Sequence, residues 1–137
     1  MSMLTENDVV NAVSSFLIEQ GYTIDQALTT SQQGIDIEAT KPDGTRCYVE
    51  AKGATSSKQD SSRYGKEFNG NQIKTHIGVA LLKSFQTLQL HPASEVVIAL
   101  PGNDGHRKVI DSMFTPIKTS GIKVFFVNNG ASVEQYI

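Results

Sequence analysis

Three side chains in the first half of the chain have the types and spacing for hydrolytic chemistry. They are Asp36 in "GID" (34–36) and Glu50 and Lys52 in "YVEAKG" (48–53). A strand turns residues i and i+2 to one face, so Glu50 and Lys52 project together. "KPDGT" at 41–45 reads as a tight turn, which folds the preceding segment back and lets Asp36 reach the same neighbourhood. Two converging carboxylates make a hard, oxygen-rich site. Mg²⁺ suits it, because that ion takes one or two carboxylates and keeps several waters and a phosphate oxygen. A lysine alongside can orient or help deprotonate an attacking water and stabilise charge developing on a phosphate. Outside such a setting, an E-x-K pair is an ordinary surface ion pair worth less than about 1 kcal/mol.

The elements that must position these residues can be read from periodicity and punctuation. Thr5 with Asp8 resembles a capping box, and Val9, Val13, Phe16 and Leu17 form an apolar stripe that ends before Gly21. This predicts a helix over about 5–20. "YTIDQAL" reads as a short strand. "GIDIEAT" and "RCYVEAK" alternate around the turn, with Cys47, Val49 and Ala51 opposite Tyr48, Glu50 and Lys52. The polar stretch "ATSSKQDSSRYGKEFNGN" has almost no apolar period and predicts a long mobile loop over 53–70. Phe68 is the apolar residue that would pin it. A helix over about 71–89, the buried strand "EVVIAL", a helical stretch from about Asp104 and the strand "IKVFFV" complete the order. Pro116 is expected to kink or end the third helical stretch. The sum is an α/β sandwich around a mixed sheet, in the order α-β-β-β-α-β-α-β, as one domain over 1–137.

Composition narrows the class. No apolar run approaches the roughly 20 residues of a membrane helix, and the lone Cys47 allows no internal disulfide. A cytoplasmic location is the expectation. The net charge of −2 conceals an asymmetry: residues 1–40 carry six acids and no Lys or Arg, whereas residues 41–83 carry eight Lys/Arg against four acids. A basic middle third is compatible with a nucleic-acid partner. Within it, Lys58, Arg63, Tyr64 and Lys66 follow directly after Lys52. As a unit they could grip phosphates, with Tyr64 free to stack on a base or sugar.

With those residues in place, "GID", a short spacer and "EAK", framed by these elements, resemble the PD-(D/E)XK nuclease superfamily. Its restriction-endonuclease-like fold is a three-layer sandwich, and the likeness spans roughly residues 5–127. The resemblance implies a DNA endonuclease using Mg²⁺, with Mn²⁺ as substitute. It implies Asp36 and Glu50 as metal ligands, the main-chain carbonyl of Ala51 as a further ligand and Lys52 as the catalytic lysine. Gln72, near the start of the following helix, matches a residue often placed beside the site. Ile35 stands where the name-giving proline would be. Glu6 is the weaker match to a first-helix acid, since an acid in a helix's first turn is favourable in any case. One such site cuts one strand, so a duplex calls for two visits or a homodimer.

Two other readings are compatible with the same residues. One is a nuclease-like fold that only binds DNA or supports a defence or repair complex. The other is an interaction module in which Glu50 and Lys52 pair with each other. His76, His91 and His106 have no ligand spacing. "GNDGHRK" (102–108) is expected to be a polar turn with Asn103 or Asp104 as a helix cap, although its basic residues in a first turn hint at an anion.

Overall fold

The computed structural model describes residues 3–28, 34–55 and 68–137. The order is α1 (Glu6–Glu19), β1 (Thr23–Ala27), β2 (Ile37–Thr40), β3 (Arg46–Ala51), α2 (Gly70–Leu90), β4 (Glu95–Pro101), α3 (Asp104–Asp111), α4 (Phe114–Ser120), β5 (Lys123–Val127) and β6 (Val133–Gln135). The six strands form one open mixed sheet in the spatial order β1-β2-β3-β4-β5-β6. β1, β2 and β3 run antiparallel, β3, β4 and β5 are parallel, and β6 returns antiparallel. α2 makes the crossover that a parallel β3–β4 pair requires.

Both faces of the sheet are covered. α1 packs Val9, Val13 and Leu17 against Ile37, Val49, Val97 and Phe125. On the other face, Ile73, Ile77 and Ala80 of α2 and Ile110 of α3 pack against Ile98, Leu100, Val124 and Phe126. Cys47 is buried on the α1 face, where loss of solvation pushes its thiol up to about 12. Burial on both faces explains why β4 reads as a nearly continuous apolar run.

The caps are those the sequence advertises. Thr5 Oγ1 accepts from the Asp8 N–H at 3.2 Å and Asp8 Oδ2 accepts from the Thr5 N–H at 2.9 Å. Gly21, just past α1, sits at φ +91°, a conformation that favours glycine. At the β2–β3 turn, Lys41 N–H donates to Thr45 O at 2.8 Å and Gly44 adopts φ +90°. Asn103 is the cap of α3, accepting from the His106 N–H at 3.0 Å.

Several expectations are corrected. The third helical stretch is two helices, broken at Ser112–Met113. Pro116 lies in the first turn of α4; having no N–H to give the Ser112 carbonyl, it interrupts the stretch there, as expected, and the chain restarts as a second helix. The strand through Asp36 is shorter than "GIDIEAT", beginning only at Ile37. A sixth strand, β6, is added. The loop expected over 53–70 is described only at its ends, where Gly53, Ala54 and Thr55 are buried and Phe68 N–H donates to Ala54 O at 2.9 Å. Phe68 also packs edge-on against His76, with centroids 4.5 Å apart. The anion suggested by "GNDGHRK" is not needed either. Arg107 donates to Glu134 at 2.8 Å and lies over the Phe126 ring, while His106 is fully buried.

Candidate functional site

The sheet end above β2 and β3 opens into a cleft of about 560 Å³. Glu6, Asp36, Glu50 and Lys52 line it from one side, and Lys83, Gln86 and Leu90 of α2 from the other.

The hairpin register sets the first pair. Ile37 is paired with Val49, so one step beyond the strand Asp36 comes opposite Glu50. Ile37 and Val49 both point into the α1-side core, and strand alternation turns Glu50 to the α2 face. Asp36 is fixed twice. Its carbonyl accepts the Leu28 N–H at 2.7 Å, and its Oδ2 accepts the Ala51 N–H at 2.8 Å. Lys52 is held by its own N–H, which donates to Ala99 O at 3.0 Å at the end of the parallel β3–β4 pairing.

Glu6 arrives by a close backbone approach. A Cβ on Gly53 would stand 2.4 Å from the Glu6 nitrogen and 2.7 Å from the Thr5 carbonyl carbon. Ala54 N–H donates to Leu4 O at 2.7 Å. The start of α1 is therefore laid directly against the chain that follows the E-x-K strand, and only glycine permits that contact. This is how an acid far away in the sequence comes to line the cleft beside Asp36 and Lys52.

The electrostatics are those of crowded carboxylates. Glu50 is buried, with 5% of its surface exposed. Burial, and then the charge of Asp36, push its carboxyl up to about 7. Burial likewise raises Asp36, partly offset by the Ala51 hydrogen bond and by Lys52 and Lys83. Glu6 is raised by burial and then by Asp36. Lys83 Nζ stands 3.8 Å from Glu50 Oε2. Three carboxylates thus share the cleft with two ammonium groups, and a further cation would relieve their mutual repulsion.

Among the described residues, no group of three or more His, Cys, Asp or Glu side chains is gathered so as to enclose a metal ion. Mg²⁺ does not require such a cage, since one or two carboxylates with water and phosphate oxygens satisfy it. The Asp36–Glu50 pair, with one Asp36 oxygen committed to Ala51 and the other not engaged by that bond, fits this ion.

Gln72 is the third residue of α2, and its Oε1 accepts the Asn69 N–H at 2.8 Å in a capping box. It is absent from the cleft lining. At about 100° per residue, Gln72 and Lys83 lie on the same side of α2, with Lys83 three turns nearer the acids. Lys58, Arg63, Tyr64 and Lys66 lie outside the described residues. Lys83 and Gln86 were not singled out by the sequence. The available signal was that Lys83 is the lone charged residue between Thr75 and Leu90.

His76 and His91 are packing groups. His91 stacks on Tyr48 at 4.8 Å, and burial, then Lys52, lower the pKa of His76. No helix among the described residues is long and apolar enough to cross a membrane. Comparison of the chain with protein-family models, curated proteins and solved structures found no match, so the cleft's own geometry is the ground on which a function must be argued.

Proposed function

We propose that the chain is a metal-dependent nuclease of the restriction-endonuclease-like type, hydrolysing phosphodiester bonds in DNA. The single observation that carries this reading is the burial of Glu50 beside Asp36, at the mouth of a cleft that also receives Lys52. Carboxyl groups whose proton affinity is raised by burial and by each other, gathered in a cleft, are a physical mark of a functional site.

In this reading Asp36, Glu50 and the carbonyl of Ala51 hold Mg²⁺ or Mn²⁺, with Glu6 in support. The ion supplies Lewis acidity toward the phosphate and lowers the pKa of bound water. The chain's own groups do the remaining work. Lys52 orients the attacking water and stabilises negative charge growing on the phosphoryl oxygens. Lys83 and Gln86, across the cleft on α2, are placed to bind the same phosphate backbone. Lys58, Arg63, Tyr64 and Lys66 would supply further contacts to neighbouring phosphates.

The deciding experiment incubates the purified protein with linear, circular, single-stranded and branched DNA, with Mn²⁺ and with a chelator. Cleavage that needs the ion and disappears in Lys52→Ala supports the proposal. Absence of cleavage on every substrate removes it.

A second reading, a nuclease-like fold that binds DNA without cutting it, draws on the Lys83–Glu50 ion pair. Lysines can offset the acids without any metal. Titration with Mn²⁺ separates the two. Saturable binding lost in Asp36→Ala and Glu50→Ala favours the nuclease, and a flat titration favours the binding module.

A further inference from the structure

The contact between Glu50 and Lys83 is one that two different ligands would break. Lys83 Nζ stands 3.8 Å from Glu50 Oε2, and among the described residues no other cation lies within 4 Å of that carboxylate. The carboxylate is the enclosed partner, with 7% of its side chain exposed against 49% for the lysine. The same ammonium offsets the charges of Asp36 and Glu6, and at Glu50 it outweighs Lys52. Without a metal, Lys83 is therefore the chief counter-charge of Glu50.

Lys83 can leave that position without any movement of the helix. Ala80 and Ser84, on the turn that carries it, are fully buried, and Ile77 and Thr87 are nearly so. They fix the α2 backbone, whereas the four-carbon stem of a lysine is flexible. Its own helix offers the ammonium no second partner. From Gly70 to Leu90 there is no Asp or Glu, and Gln86, which lines the cleft one turn further on, is neutral. An ammonium released from Glu50 needs an anion from outside α2, and a phosphate entering the cleft supplies one.

We propose that Lys83 couples metal binding to DNA binding: in the free protein it occupies Glu50 and weakens the hold on the ion, and a DNA phosphate draws it away and frees the acids. This rests on the nuclease reading and adds a control to it. Metal and ammonium compete for one carboxylate, while carboxylate and phosphate compete for one ammonium. Each ligand removes the other's competitor, so the coupling is positive, and it has the same size in both directions. A site built this way holds its ion weakly in the free protein and firmly in the complex. Lys83 acts here through Glu50, as a positioning residue.

Two measurements on the full chain test the coupling. In the first, electron paramagnetic resonance of free Mn²⁺ gives the affinity of the DNA-free protein at pH 8.5, above the range in which Glu50 takes up a proton. Lys83→Met should bind Mn²⁺ about threefold more tightly than wild type, or better, because a like charge has gone. Lys83→Arg keeps the charge and should stay near wild type. A lysine that merely propped the acids in place would give the opposite sign. In the second, fluorescence anisotropy gives the affinity for a short DNA duplex in Mn²⁺ and in chelator, at constant ionic strength. Lys52→Ala is the background, so that the DNA stays uncut. There Mn²⁺ should tighten DNA binding about fivefold or more, and adding Lys83→Met should remove most of that gain. Lys83→Gln, which removes the charge without adding an apolar side chain, should reproduce both results.

Mn²⁺ affinity that is unchanged or weaker in Lys83→Met overturns the coupling, as does an equal gain in DNA affinity with and without Lys83. If wild type still cuts DNA in Mn²⁺, only the coupling is lost and the nuclease reading stands. If wild type takes up no Mn²⁺, with or without DNA, both fall.

Discussion

One carboxylate oxygen of Asp36, Oδ2, accepts the main-chain N–H of Ala51 at 2.8 Å. The residue between Glu50 and Lys52 thus locks the first acid to the strand that carries the second. The bond has both a structural and a chemical part, and substitutions can separate them. Asp36→Asn keeps an acceptor oxygen for Ala51, which is fully buried, whereas Asp36→Ala leaves that N–H without its partner. The alanine variant should lose about 1–3 kcal/mol, and the asparagine variant much less. Both should lose Mn²⁺-dependent cleavage. Urea unfolding beside an activity assay reads the two effects, and equal destabilisation by both substitutions would show that the charge, not the bond, holds the turn.

Glu50 predicts a pH dependence of stability. Its folded-state carboxyl stands at about 7 against 4.5 for the free group. Between those values the folded chain holds a proton that the unfolded chain has released, so stability falls as pH rises through that window. At about 1.4 kcal/mol per unit, the loss is on the order of 3 kcal/mol. Glu50→Gln should flatten this slope and stabilise the metal-free protein at pH 8. Thermal melts from pH 4.5 to 8 in chelator would show it, and parallel wild-type and variant curves would contradict it. Because a divalent ion competes with that proton, Mn²⁺ should bind more tightly as pH rises toward 7.

Lys52→Ala should abolish cleavage with little loss of stability or DNA affinity. The side chain is only half-buried, and its fixed part is the main-chain bond to Ala99, which alanine keeps. A variant that fails to fold would assign the lysine to structure and weaken the proposed chemistry.

Gly53→Ala tests the delivery of Glu6. The added methyl would meet backbone atoms of Thr5 and Glu6, and backbone cannot step aside as a flexible side chain would. Overpacking of this kind costs about 1–3 kcal/mol, and the start of α1 should swing away from the cleft. If Glu6 contributes to the site, Gly53→Ala and Glu6→Gln should both weaken Mn²⁺ binding. Full activity in Glu6→Gln would confine that acid to the helix's first turn.

DNA affinity should fall steeply with salt if Lys83 and the basic residues between Thr55 and Phe68 contact phosphates. Each lost phosphate contact lowers the salt slope by about 1. Removing Lys83 should therefore reduce the slope by about that amount, measured by fluorescence anisotropy in chelator. A salt-independent affinity would exclude a backbone contact.

Local rules determined much of this molecule. Alternation in "RCYVEAK", the Pro–Asp–Gly turn and the Thr5–Asp8 cap are short-range signals, and each is read within a few residues. They suffice to put Asp36, Glu50 and Lys52 at one end of a hairpin and to name the elements around it. Pro116 is another such signal: its ring forbids the bond to Ser112, and the helical stretch is interrupted there.

What only the tertiary structure decided is what lies across the cleft. Glu6 lines it because Gly53 lets two backbones touch. Lys83, not Gln72, meets Glu50 because the two lie three turns apart on one side of α2, and the packing of that helix brings only the later turn to the acids. Those are contacts between residues far apart in the chain, fixed by how whole elements pack, and no periodicity within a single element encodes them. The charge on Glu50 belongs to the same class. Its type is written in the sequence, but burial and the nearness of Asp36, which set its proton affinity, exist only once the sheet and α2 have closed around it.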